Sequence, residues 1–222
     1  MTVSVALAAY NGERYIAEQV DSILNQLNEN DELIISVNPS NDRTEDIIRD
    51  YQLKDKRVKV VICSRKGVLA NFENAIRLCS NDIIFLSDQD DIWSSNKIEL
   101  QLQLFKDTYV GGVCHGCRYI DDSGKPTDEQ PRTGKNRRIT FWEIIRKNPV
   151  QGSTLAFRRE LTNYFLPFPI DIPMHDSWIG LCIVKHSNLV YINDQLLFYR
   201  QHEGTVTNRH HRKLRQIGRA HV

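Results

Sequence analysis

The chain lacks any apolar run approaching the roughly 18 residues that a membrane-spanning helix requires, so a membrane contact would be peripheral. It also lacks a global charge: 29 basic against 28 acidic residues leave +1, which gives no pull toward nucleic acid. No Gly-rich phosphate loop of the Walker kind occurs, which removes the usual signal of a Mg²⁺-dependent phosphotransferase. Met1-Thr-Val-Ser-Val5 enters a strand pattern with no basic and apolar leader ahead of it. Cys63, Cys79, Cys114, Cys117 and Cys182 form an odd set without the spacing of a disulfide framework, so a reducing, cytoplasmic setting is expected. Cys114-His-Gly-Cys117 has the spacing of half a zinc site or of a redox pair, but no second pair follows, and two thiols on a strand is the simpler reading. What remains is the composition of a soluble globular protein, 41% hydrophobic, long enough to bury a sizeable core.

Periodicity predicts an α/β organisation in the first hundred residues. Strands are predicted at Val3–Ala8, Asp31–Val37, Val58–Ile62 and Asp82–Ser87, with helices over Glu13–Leu27, Arg43–Tyr51 and Leu69–Cys79 between them. Strands separated by helices imply right-handed crossovers and a parallel sheet covered on both faces. Ligands of such sheets bind at the carboxyl ends of the strands, so Ala9-Tyr-Asn-Gly12, Asn38-Pro-Ser-Asn41 and Ser87-Asp-Gln-Asp-Asp-Ile-Trp93 should share one rim. Further on the pattern loosens. Strands are expected at Val110–Cys114, Arg118–Ile120, Ser153–Phe157, Leu189–Ile192 and Leu196–Tyr199, and helices at Thr140–Arg146, Arg159–Phe165 and Asp176–His186. Lys125–Arg138 reads as an exposed loop.

Asp88, Asp90 and Asp91 put three carboxylates into four positions behind the buried run Ile83-Ile-Phe-Leu86. Like charges at the end of a buried strand repel and lose hydration, so a cation or a set of donors must compensate. An all-oxygen set favours Mg²⁺ or Mn²⁺ bridged to phosphates. The alternative is an N-cap, Asp90 or Asp91 opening a helix at Ile92, which accounts for one aspartate and not three. Asp176 in His175-Asp-Ser-Trp178 reads by itself as a cap. His202 in Tyr199-Arg-Gln-His202 is open between a metal ligand, a proton-transfer group and a hydrogen-bonded residue.

The chain resembles the family 2 glycosyltransferases of GT-A fold, particularly the bacterial rhamnosyltransferase-like and polysaccharide-biosynthesis subgroup. The resemblance is carried by Val5-Ala-Leu-Ala-Ala-Tyr-Asn-Gly12, Gly67 with Asn71-Phe72, Phe85-Leu-Ser-Asp-Gln-Asp-Asp-Ile-Trp93, Gly152-Ser-Thr-Leu-Ala-Phe157, His175-Asp-Ser-Trp178 and Tyr199-Arg-Gln-His202, in that order. It implies a Rossmann-like, mostly parallel sheet with helices on both faces. Residues 1–105 would be the nucleotide-sugar-binding half and 106–216 the acceptor-binding half of the same domain.

It further implies inverting transfer of a sugar from a nucleotide-diphosphate donor to a saccharide or lipid-linked saccharide acceptor, with no nucleic-acid partner. Ala9, Tyr10, Asn11, Asn38, Gly67, Asn71, Asp88 and Arg200 fall at donor-binding positions, Asp88, Asp90 and His202 at positions for Mn²⁺ or Mg²⁺, and Asp176 at that of the catalytic base. The chain departs from the pattern at Val37-Asn-Pro-Ser40, where the family usually has Asp-Asp-Gly-Ser, and at His115-Gly116, where an aspartate is usual. Asn38 keeps a donor and an acceptor in place of the base-binding acid, while Pro39 removes a backbone donor. These departures keep open a relative that binds without transferring. Finally, Arg209-His-His-Arg-Lys-Leu-Arg215 is a basic tail suited to phosphates or an anionic surface. Ile217-Gly-Arg-Ala-His-Val222 matches one translated frame of a common sequencing adapter, so native sequence is expected to stop near Arg215 or Gln216.

Overall fold

The first strand, β1 (Val3–Ala9), is buried on both faces: Val3, Val5, Leu7 and Ala9 join the core on one side and Ala6 joins it on the other. A computed structural model of the chain describes residues 1–131 and 133–202. In it β1 is followed by α1 (Ile16–Leu24), β2 (Glu32–Val37), α2 (Thr44–Lys54), β3 (Val58–Ile62), α3 (Val68–Leu78) and β4 (Ile83–Asp88). The strands run parallel in the order β3-β2-β1-β4, as the alternation predicts. The basic stretch 209–215 and the segment 217–222 lie outside the described residues.

The second half completes the sheet. β5 (Ile92–Trp93), α4 (Lys97–Leu104), β6 (Val110–Ile120), β7 (Arg137–Ile139), α5 (Phe141–Lys147), β8 (Ala156–Arg158), α6 (Thr162–Phe165), α7 (His175–His186) and β9 (Asn188–Arg200) follow. The order continues β4-β8-β6-β9-β5, with β7 on β9. β8 runs against both β4 and β6, and β9 runs with β6, so β1, β2, β3, β4, β6 and β9 share one direction and the short β5, β7 and β8 oppose it. Ile16, Val20 and Ile23 of α1, Ile48 of α2 and Ile98 of α4 cover one face. Phe72 and Ile76 of α3, Ile144 of α5 and Ile179 and Ile183 of α7 cover the other. Phe72, Phe85 and Phe157 are fully buried, each contributing about 1.5–3 kcal/mol.

Several sequence expectations are corrected. Ile92 and Trp93 are not helical: they pair with Phe198 and Leu197, and the helix waits until Lys97, behind Asn96. Neither Asp90 nor Asp91 is therefore its cap. A β-branched and an aromatic residue suit the strand, where Trp93 packs its ring 5.9 Å from that of Phe85. The two strands expected between Val110 and Ile120 are one, and so are the last two. Glycines hid the first continuity, since Gly lowers strand propensity, yet they are needed there: a Cβ at Gly112 would stand 2.9 Å from Leu189 Cδ1. Gly152–Thr154 is a 3-10 turn, not the start of a strand. Cys114 and Cys117 pack into cores on opposite faces of the sheet, which removes the paired-site reading. Among the described residues no helix is long and apolar enough to cross a membrane.

Candidate active site

The loops leaving β1, β2, β3 and β4 meet at the carboxyl edge of the sheet and lace together. Asn11 takes a left-handed φ of 48°, which asparagine tolerates, and turns the chain into α1. Its amide donates to Ser40 Oγ (3.1 Å), the amide of Gly12 donates to Thr44 Oγ1 (2.7 Å), and Asn11 Oδ1 accepts from the Asn41 amide (2.9 Å). Gln89, between the two aspartates of Asp88-Gln-Asp90, closes a two-bond clasp on Tyr10: it accepts from the amide at 2.8 Å and donates to the carbonyl at 2.9 Å. A Cβ at Gly12 would collide with that carboxamide, so the glycine is required by the clasp.

Three residues expected at the donor are joints of this lacework. Asn38 is buried; its Nδ2 donates to the carbonyls of Cys63 (2.8 Å) and Arg65 (2.9 Å), and its Oδ1 accepts from the Gly67 amide (3.3 Å). Asn71 is buried too, taking a bond from Ser36 Oγ (2.6 Å) and giving one to the Ala9 carbonyl (2.8 Å), which also accepts from the Asn38 amide (3.0 Å). The polar groups of Ala9, Asn38 and Asn71 thus serve to hold three loops in register. Tyr10, Asn11 and Gly67 are the exposed members of the expected set.

The acids sit just beyond. Asp88 ends β4 half-buried, and burial, then the charges of Asp90 and Asp176, raise its carboxyl well above the usual range. Asp91 is fully buried. Its Oδ1 accepts from the Arg200 amide (3.1 Å), and burial followed by the charges of Asp90 and Asp88 raises it well above the usual range, against the lowering effect of the Arg200 amide and the Ser153 hydroxyl. Arg200, expected to face the diphosphate, is 2% exposed and turned the other way. Its guanidinium donates to the carbonyls of Asp90 (2.9 Å) and Asp122 (3.2 Å), pairs with Glu18 (2.5 Å) and lies 4.9 Å over the Tyr15 ring. It positions the acidic loop from behind. His202 Nε2 donates to Asp90 Oδ2 at 2.8 Å.

Under the acids lies a buried cation that sequence reasoning missed. Lys97 is wholly inaccessible, donates to Ser153 O (3.0 Å) and His115 Nε2 (2.7 Å), and stands 4.6 Å from the Trp93 ring centre. His115 Nδ1 lies 2.7 Å from Gly116 O, which can only accept, so Nδ1 carries the proton and Nε2 takes the bond from Lys97. Burial pulls the Lys97 ammonium down to about 7 while the Asp91 charge opposes the shift. The only sequence signal was position, four residues past Trp93 at the start of a helix; burial of its amine is a tertiary fact.

Asp176 stands in the first turn of α7 rather than at its cap, which is Met174. It is 8% exposed and accepts from Asn148 Nδ2 (3.2 Å) and from the Ser177 amide (2.5 Å). Its charge acts on Asp88 across the rim, so elements from the two halves contribute to one site. The neighbouring His175 stacks on Phe72 (4.2 Å between centres), and neither ring nitrogen makes a hydrogen bond. Burial lowers it to about 4, so it stays neutral near pH 7. A cleft of about 450 Å³ lined by Tyr109, Arg158, Tyr164 and His186 lies at the opposite ends of the strands and holds none of these groups.

Among the described residues no three Asp, Glu, His or Cys side chains converge as a ready metal cage. Asp88 and Asp90 offer oxygen donors, and the crowding of Asp88, Asp90 and Asp91 raises the first and third of these carboxyls, a repulsion that a cation would relieve. That set fits a hard cation held by one or two carboxylates and completed by phosphate oxygens and water. His202 Nε2 lies beside this set, 2.8 Å from Asp90 Oδ2.

A family model described as glycosyl transferase family 2 matches residues 4–165. The chain is 25% identical over 220 residues to the UDP-Glc:alpha-D-GlcNAc-diphosphoundecaprenol beta-1,3-glucosyltransferase WfgD of Escherichia coli, covering 96% of this chain and 83% of that one. Among solved structures it is similar to S. aureus TarS 1-349 in complex with UDP-GlcNAc, with a TM-score of 0.74 at 17% identity over 94% of this chain and 61% of that chain. The mannosyltransferase PcManGT of Pyrobaculum calidifontis, in complex with GDP-Man and Mn²⁺, gives 0.72 at 20% identity over 95% and 60%. Identities this low speak for the fold, which is GT-A. The chain spans 65% of the length of a further relative, an uncharacterized glycosyltransferase of Nostoc sp.. The matched span holds the laced loops and all three clustered aspartates, and the chain belongs to glycosyl transferase family 2.

Proposed function

We propose that the chain is an inverting glycosyltransferase. It would move a sugar from a nucleotide-diphosphate donor to a hydroxyl of a saccharide or lipid-linked saccharide acceptor in bacterial surface polysaccharide synthesis, at the cytoplasmic face of the membrane. The observation that carries this reading is the placement of Asp88 at the end of β4 and of a buried Asp176, held by Asn148, in the first turn of α7, near enough for its charge to raise the Asp88 carboxyl. Asp176 takes the acceptor proton as the hydroxyl oxygen attacks the anomeric carbon. The bond from that carbon to the diphosphate oxygen breaks with its electron pair leaving on the diphosphate, so one displacement inverts the centre. Asn148 and the Ser177 amide orient the carboxylate for this task. Mn²⁺ or Mg²⁺, held by Asp88 and Asp90, would supply positive charge to the departing diphosphate.

Calorimetric titration with several nucleoside diphosphates and their sugars in Mn²⁺ tests the proposal. Binding of at least one donor is expected. Asp90→Ala should remove the metal dependence, and Asp176→Asn should keep the donor affinity and stop transfer. A fully active Asp176→Asn would refute the base assignment, and absence of binding by every donor would favour the second reading, a binding or assembly protein. That reading draws on one observation: at Asn38-Pro39 the loop that would meet the base has its amide committed and a backbone donor removed.

A further inference from the structure

The helix α5 (Phe141–Lys147) is inside out. Ile144 alone is buried, its Cδ1 lying where a Cβ at Gly180 of α7 would come within 3.3 Å. Phe141, Trp142 and Ile145 face solvent at 46%, 66% and 55% exposure, the two aromatic rings edge to face at 5.5 Å. Three large apolar side chains on the outer arc of one short helix expose surface that water disfavours. Cations frame them: Lys135, Arg138, Arg146 and Lys147 are exposed, and the single acid of the stretch, Glu143, is neutralised by Arg137 (3.0 Å) and held in the Thr140 capping box. The excess is local, since the whole chain carries only +1.

We propose that this face docks on an anionic lipid bilayer, Phe141, Trp142 and Ile145 entering the headgroup boundary while the four exposed cations meet lipid phosphates. Outward apolar residues beside Lys and Arg are the composition of an interfacial helix, and Trp suits the boundary because its ring is apolar and its N–H polar. A second copy is the poorer occupant, because a twofold interface would set the cationic frame against itself. The docked helix is tied to the candidate base: Asn148, which ends α5, donates to Asp176. Docking would therefore hold the acceptor side of the rim at the surface where a lipid-linked acceptor resides. Only this use rests on the proposed function; the docking itself does not.

The test is flotation of the full 222-residue chain with phosphatidylcholine vesicles, with and without phosphatidylglycerol, using brominated lipid to quench tryptophan. Binding to the anionic vesicles alone is expected, weakened by salt, with quenching of Trp142; Trp93 is buried and Trp178 half-buried. The combined Phe141→Ser, Trp142→Ser and Ile145→Ser variant should bind at least about tenfold more weakly. Arg146→Gln and Lys147→Gln should each weaken binding roughly fivefold, with the melting temperature and helix content of the parent. No binding to anionic vesicles, binding without Trp142 quenching, or an undiminished apolar triple variant would overturn the proposal. So would a concentration-dependent dimer that the triple variant abolishes. Donor titration of the same samples distinguishes this failure from failure of the transferase reading.

Discussion

Lys97 carries an electrostatic cost of burial. Its amine has an ordinary value of 10.5 and is brought to about 7 by burial. Above about pH 10.5 both folded and unfolded chains carry it neutral; between about 7 and 10.5 the unfolded chain alone holds the proton, so stability rises with pH across that window. Below pH 7 both forms hold the proton and the penalty is constant. The slope is at most about 1.4 kcal/mol per pH unit. In urea denaturation at a series of pH values, Lys97→Met is expected to lose this alkaline rise relative to the parent, and equal slopes in the two proteins would show that the amine is not buried as described. What Lys97 gains in return is position: it ties α4 to Ser153 and His115 directly beneath Asp91, where the family's usual aspartate is replaced by His115-Gly116.

Among the elements, α3 shows how a loop and a helix depend on one backbone angle. Gly67 precedes it with φ 106° and ψ 157°, a region open essentially to glycine. Its amide reaches Asn38, and no atom lies within 4 Å of where a Cβ would stand, so the residue is needed for its angle and not for lack of room. Gly67→Ala is expected to cost about 1–3 kcal/mol in chemical denaturation and to loosen the Asn38 joint. An unchanged midpoint would mean that the loop can rebuild without the angle. The same logic separates α5 from α7. The α5 helix has a full capping box and a basic last turn, so its limits were legible from Thr140, Glu143, Arg146 and Lys147. α7 has no side-chain cap, and its start one residue before Asp176 follows from packing of His175 on Phe72.

At the scale of the whole molecule, the rim joins loops from β1 to β4 with α7 and the end of β9, so a ligand seated there would brace both halves. A donor bound at one hundred times its Kd should raise stability by about 2.7 kcal/mol, read as an increase in melting temperature that grows with donor concentration. A donor that binds by calorimetry but leaves the melting temperature unmoved would place its site away from this rim. The first half of the fold was legible because each strand carries its own apolar period and each crossover its own helix, all within local reach. Asp88 and Asp90 stand out for a related reason, as acids behind a buried run, whereas Asp176 reads by itself as a cap and is singled out only by the resemblance. The second half of the fold was less legible. β6 and β9 are long strands interrupted by glycine and polar residues, and their continuity depends on partners some eighty positions away.

The sequence by itself determined the alternating architecture, the edge at which the acids cluster, and the family to which the motifs point. These are matters of period, order and residue type. Tertiary structure decided which of those residues turn inward and which stay at the rim. It turned Asn38, Asn71 and Arg200 inward as joints, bonded His202 to Asp90, placed Lys97 beneath the acids and left Phe141, Trp142 and Ile145 outside. The reason is geometric: a side chain's partners are fixed by chain segments distant in sequence, and a buried donor or acceptor takes the partner that the fold brings within about 3 Å.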